Sequence, residues 1–239
     1  MIRLRFYVNK SLDKRMVKEF ISVQAGGVNF GQNIIKLHPR LRFDRLNKRS
    51  QPKIIDDYFD VYYKIHKEKI KRKINEIRRE WIKWEENFVS ITEKYFGGFK
   101  FSKGRYIAYP SIINCNPRFL DSKTFQFFYK KEIPDAVHTI AHELLHFIFF
   151  DFVNKKLPKI KHELSDDELW DLSEIFNVVL LRMLYKNIIN HRYIHPYPDH
   201  KKYLRDIIQT FLKSTNIKEF IIKSASVIRQ RKTEIRRGS

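Results

Sequence analysis

The chain has 239 residues, 43% of them hydrophobic and 15% aromatic, with only 7 Gly and 8 Pro. That is enough apolar material for a packed core in one or two domains, and it excludes a disordered or collagen-like chain. A single cysteine, Cys115, excludes a disulfide scaffold and fits a reducing, cytoplasmic compartment. The 48 Lys+Arg outweigh 27 Asp+Glu to give a formal charge of +21, which favours polyanionic partners: nucleic acid, an acidic membrane surface or acidic protein. A solvated basic surface explains the same balance, so charge alone does not choose.

Residues 1–55 read as a basic N-terminal strand and arm. Ile2-Arg3-Leu4-Arg5-Phe6-Tyr7-Val8 alternates apolar and basic side chains, as a half-buried strand does. Its charges leave no apolar stretch of the signal-peptide kind. An amphipathic stretch follows over 12–23. Gly26, Gly27 and Gly31 then mark turns, in a spacing that is not a phosphate-loop fingerprint. The basic segment 37–53, with Pro39 and Pro52, reads as a linker or arm.

Residues 56–98 hold no Pro and no Gly until Gly97-Gly98. Ile70, Ile74, Ile77, Trp81, Trp84, Phe88, Ile91 and Tyr95 alternate steps of four and three, a heptad seam that predicts one helix of about 40 residues and ~60 Å. The outer face of its first half is basic, with Lys64, Lys67, Lys71, Arg72, Arg78 and Arg79. It is either a polyanion footprint or a solvated face in which Glu68, Glu76 and Glu80 supply helical ion pairs.

Residues 99–205 are the expected catalytic core, and 206–239 two amphipathic helices with a basic tail. Short β-favouring runs at 99–101, 106–109, 112–115 and 124–129, separated by turn signals, predict a small antiparallel sheet. Pro134-Asp135 then opens a helix to about Asn154 that is apolar almost all round. Within it stands His142-Glu143-Leu144-Leu145-His146, an HExxH, which chance would place in about 0.02 of chains with this His and Glu content. Histidines four apart lie on one helical face and can grip one metal ion, while Glu143 can reach an attacking water as general base. Burying such groups costs several kcal/mol unless they are satisfied, and a metal satisfies them. His138 lies one turn earlier, but three such histidines span ~12 Å, too far to share one ion. It reads as supporting or structural.

A catalytic zinc takes three protein ligands and leaves one position open. The extended motif HExxHxxGxxH fails, because Phe149 and Phe152 stand where Gly and the third His belong. The next helix opens with a capping box, Ser165 and Glu168, which accounts for Asp166, Asp167 and Glu168. Glu174 has no such explanation and precedes the apolar run 175–181, so it is the expected third ligand, with Asp171 in reserve or orienting a ligand histidine.

HELLH on a buried helix, followed by a separate helix carrying LSEIFNVVLL, resembles the gluzincin zinc metallopeptidases, and the short chain resembles their reduced members, the minigluzincins. The resemblance covers about residues 99–200. It implies that His142, His146 and Glu174 bind one zinc per chain, that Glu143 is the general base and acid, and that an edge strand within 106–129 holds a peptide or protein substrate. It also implies self-inhibition by the C-terminal segment from His195 onward. The chain departs from the family in its longer interval between His146 and Glu174, and in carrying Ser173-Glu174 in place of Asn-Glu. Beyond this helix His195, Tyr197 and His200, held extended by Pro196 and Pro198, are candidates to stabilise the oxyanion of peptide hydrolysis; an aromatic surface loop is the alternative.

These elements predict an α+β, mainly helical fold with a small antiparallel sheet packed on a buried active-site helix and one long heptad-patterned helix. The expected activity is zinc-dependent peptide hydrolysis. The alternative is a basic nucleic-acid-binding protein with a vestigial or structural metal site. No transmembrane segment is expected: residues 134–153 are long enough to span a bilayer but carry Asp135, His138, His142, Glu143, His146 and Asp151.

Overall fold

A computed structural model describes residues 2–42, 51–186 and 191–238. The fold is α+β and mainly helical, as expected. It divides into two compact units, residues 3–83 with 105–137 and residues 1–2 with 84–104 and 138–239, with the boundaries at 83/84 and 137/138 falling inside helices.

The first unit carries the sheet. Strand β1 (Leu4–Phe6) leads to α1 (Lys10–Phe20), which Asn9 caps by accepting from the Leu12 N–H. Strands β2 (Gln24–Ala25) and β3 (Val28–Asn29) form a two-residue hairpin in which Gly26 and Gly27 both take positive φ, the geometry of a type I′ turn. Gly31, in α2 (Phe30–Leu37), has a different role from turn-making. A Cβ there would stand 1.8 Å from the carbonyl oxygen of Ile21, so the absence of a side chain lets two backbones meet. Of the expected linker, residues 43–50 lie outside the described residues. His38 and Leu41 are buried, and the His38 ring bonds Tyr58 Oη at 2.6 Å and the Ile112 carbonyl at 2.8 Å. That part is packed structure.

The long helix α3 spans Gln51–Tyr95. Its seam is buried within the chain: Ile70, Ile77 and Trp81 in this unit are at most 3% exposed. Strands β4 (Tyr106–Ser111), β5 (Arg118–Phe119) and β6 (Thr124–Phe128) complete a four-stranded sheet in the order β1-β4-β6-β5. The expected antiparallel sheet is corrected here. β4 runs parallel to both β1 and β6, and only β5–β6 is antiparallel. Neighbouring apolar runs suggest hairpins, but the chain leaves β4 through the buried Ile112 and Ile113, turns at β5, and returns along β4 in the same direction. Residues 99–101 and 112–115 form no strand, and Arg118-Phe119, between two predicted turns, does.

The sheet and α1 share a buried acid. Asp13 accepts from Tyr63 Oη at 2.6 Å, from the Ile112 N–H at 3.1 Å and from Gln126 Nε2. Burial is the dominant influence and pushes its carboxyl up to about 6 despite these donors.

The second unit is helical. The end of α3 closes in a Schellman arrangement: the Gly98 N–H reaches the Glu93 carbonyl and the Gly97 N–H the Lys94 carbonyl, with both glycines at positive φ. Helix α4 (Ile133–Lys156) begins in the first unit and enters this one at His138. By length and composition α4 could cross a membrane, but 78% of its most apolar window is buried inside the fold. Then come α5 (Pro158–Glu163), α6 (Asp166–Leu184), α7 (Lys201–Lys213) and α8 (Ile217–Gly238). Helices α7 and α8 belong to the core around α6: Ile207, Phe220, Ile221 and Ile228 are fully buried, and Phe176 stacks on Phe220 at 5.3 Å.

Candidate metal centre

Two helices build the site. In α4, Ala141, Leu144, Leu145 and Ile148 are fully buried, which fixes the helix's rotation and places His142 and His146 one turn apart on a common face. In α6 the capping box forms as read: Ser165 Oγ accepts from the Glu168 N–H, and Glu168 accepts from the Ser165 N–H. Leu172, Ile175, Phe176 and Val179 are then fully buried. Against this apolar background Asp171, Glu174 and Asn177 recur every three residues as a buried polar stripe.

Glu174 meets both histidines. Its Oε2 lies 2.9 Å from His142 Nε2, its Oε1 lies 3.4 Å from His146 Nε2, and the two Nε2 atoms are 3.0 Å apart. The three residues form a group able to hold a metal ion. Donors bound at ~2.0–2.1 Å in a tetrahedron stand about 3.3 Å from one another, close to these separations. The chemistry of the donors agrees: two imidazole nitrogens cannot both donate to one another while also bonding a single carboxylate, whereas one cation accepts lone pairs from all three.

His146 is fully buried, Glu174 is 3% exposed and the His142 side chain keeps 15%, so His142 is the solvent-facing member. Glu143 is buried beside it in the chain, at 4% exposure. His138 lies outside the group, with its ring centroid 6.1 Å from that of His142.

Asn177 is the residue that sequence reasoning passed over. Fully buried, it donates from Nδ2 to the main-chain carbonyl of His142 at 3.0 Å. The signal was present, since Asn177 is an amide three residues after Glu174 inside an apolar run, and such a group must bond something.

The remaining candidates attach to the other end of the stripe. His200 is buried, with Nε2 2.9 Å from Asp171 Oδ1, so Asp171 is committed to His200 in this structure. Tyr197 is half-buried, its ring against Trp170 at 5.4 Å and His200 at 5.5 Å. Arg182 donates to the Ile194 carbonyl from Nη2 at 2.7 Å and from Nε at 3.3 Å, which pins the start of this segment to α6. His195 is exposed, its Nε2 2.6 Å from the carbonyl of Arg192.

No family model, curated protein or solved structure matches the chain.

Proposed function

We propose that the protein is a zinc-dependent metallopeptidase of gluzincin type. The observation that carries this reading is the meeting of Glu174 with both histidines of the HExxH, within 3.4 Å, from a separate helix. Two imidazoles and a carboxylate are a donor set suited to a catalytic zinc with one open position.

His142, His146 and Glu174 would hold the ion. Bound there, zinc supplies Lewis-acid polarisation of a substrate carbonyl and eases ionisation of water near neutral pH. Glu143 then takes a proton from the attacking water as its oxygen bonds to the carbonyl carbon. The same proton passes to the amide nitrogen as the C–N bond breaks, leaving an acid and an amine. Tyr197 and His200 are the candidates of the C-terminal segment for the developing oxyanion, His200 with its Nε2 held by Asp171, and His195 is the weakest member of the set because its ring is exposed and engaged locally. Truncation is no test of self-inhibition by this segment, since α7 and α8 are core helices whose deletion would open the fold.

The test uses the full chain, purified without chelator. Metal analysis should give one zinc per chain, and Glu143→Gln should keep the zinc while peptide hydrolysis falls by about 10²–10⁴-fold. Undiminished turnover in Glu143→Gln, or zinc content unchanged by Glu174→Ala, would overturn the reading.

A further inference from the structure

The first unit carries a groove that the metal centre does not use. Val8 and Lys10, just after β1, form one side. Tyr63, Ile70 and Ile74 of α3 form the floor, and Lys64, Lys67 and Lys71 of α3 the rim. The α3 residues lining it run from Asp60 to Asn75, about four turns or ~22 Å along the helix axis. Val8 is 48% exposed, and β1 is an edge strand of the sheet.

Its charge is unbalanced. Asp60 is the one acid in the lining among the described residues, and it is already bonded by Lys10 and Lys14. The acids expected to compensate the basic face of α3 do so only in part. Glu80 pairs with Lys83 at 2.7 Å, while among the described residues neither Glu68 nor Glu76 forms an ion pair and no carboxylate pairs with Lys64, Lys67 or Lys71. Holding three such ammonium groups beside one another along an apolar floor is electrostatically unfavourable unless anionic charge arrives.

We propose that this groove docks an acidic, amphipathic segment of a protein partner, with its carboxylates against Lys64, Lys67 and Lys71 and its apolar side chains on Val8, Ile70 and Ile74. Charge complementarity selects this occupant. A second copy of the chain brings +21 and is repelled. Nucleic acid matches the rim but wastes the floor: among the described residues Tyr63 is the only aromatic ring there, and its hydroxyl is tied to Asp13. The groove accommodates about six or seven extended residues at ~3.3 Å each, whose alternation presents acids to one side and apolar groups to the other.

Fluorescence anisotropy on the full chain with a labelled eight-residue peptide of alternating Leu and Glu tests this at physiological salt. Two further peptides alternate Ser with Glu and Leu with Lys, and a single-stranded octanucleotide completes the set. The Leu/Glu peptide should bind at least tenfold more tightly than the others. The triple change Lys64→Glu, Lys67→Glu, Lys71→Glu should weaken it tenfold or more, as should Val8→Asp; all four positions are exposed, so the fold tolerates them. Reversal of three exposed cations outside the groove, Lys69→Glu, Arg78→Glu and Arg79→Glu, should leave most of the affinity intact. Equal binding of the Ser/Glu peptide, tighter binding of the octanucleotide, equal loss in the control triple, or no binding at about 1 mM peptide, the weak end of recognition, would each overturn the proposal.

Discussion

The side-chain amide of Asn177 donates to the main-chain carbonyl of His142 at 3.0 Å, which fastens α6 to α4 at the residue immediately before Glu143. The same helix brings Glu174 to the histidine rings one turn earlier. Backbone and side chains of the HExxH are therefore positioned by one neighbour. Asn177→Ala should lower unfolding free energy by about 1–3 kcal/mol, the cost of a buried bond lost, and weaken metal binding by roughly 10-fold or more as the ligands lose their brace. Thermal unfolding and a competitive metal titration measure the two effects separately.

Metal should act as a stabilising ligand. With zinc at a thousandfold excess over its Kd, linkage predicts about 4 kcal/mol of added stability. The rise in Tm should vanish on chelation and be much reduced in Glu174→Ala, which removes one of the three donors. A Tm insensitive to zinc in the unaltered chain would count against the centre itself.

Asp13 should give stability a pH dependence of its own. Its folded pKa, about 6, lies above the ordinary 3.8, so the folded state holds the proton more tightly. The contribution is fully present below about pH 4 and is lost as pH rises through about 6, amounting to about 3 kcal/mol for a shift of this size. Asp13→Asn removes the titration. The difference in unfolding free energy between the native chain and this variant, followed by denaturant titration, should therefore shrink as pH rises from 4 to 6.5.

Two glycines should respond differently to alanine. At Gly97, with φ +66°, nothing lies within 4 Å of an added Cβ, so Gly97→Ala bears only the backbone penalty of about 1–2 kcal/mol. At Gly31 the new Cβ meets the Ile21 carbonyl at 1.8 Å, and Gly31→Ala should cost about 3 kcal/mol or more because backbone must move. Chemical denaturation of the two variants gives the comparison directly.

What the sequence disclosed follows from how local each signal is. The seam of α3, its stop at Gly97-Gly98, the HExxH spacing and the Ser165–Glu168 capping box all lie within a few helical turns, where periodicity and cap chemistry act. Glu174 was legible for another reason: a carboxylate among buried apolar residues needs a partner. The pairing of β1 with β4 was not, because it joins Leu4 to Tyr106 across about 100 residues and nothing local records it. Asp13 escaped similarly. In α1 it resembles a solvent-facing acid, and only the approach of Tyr63, Ile112 and Gln126 from distant segments makes it a buried one. The bond between His200 and Asp171 was not legible either, because it joins residues 29 apart across the connection between two helices.

Asp171, Glu174 and Asn177 share one helix at three-residue intervals and hold, in turn, the His200 ring, both imidazoles of the HExxH and the His142 carbonyl. A rigid rod couples whatever it carries. Advancing α6 by a single residue means 1.5 Å of travel and about 100° of rotation, and all three attachments would be severed together. Insertions or deletions between Asp171 and Asn177 should therefore behave as all-or-none lesions.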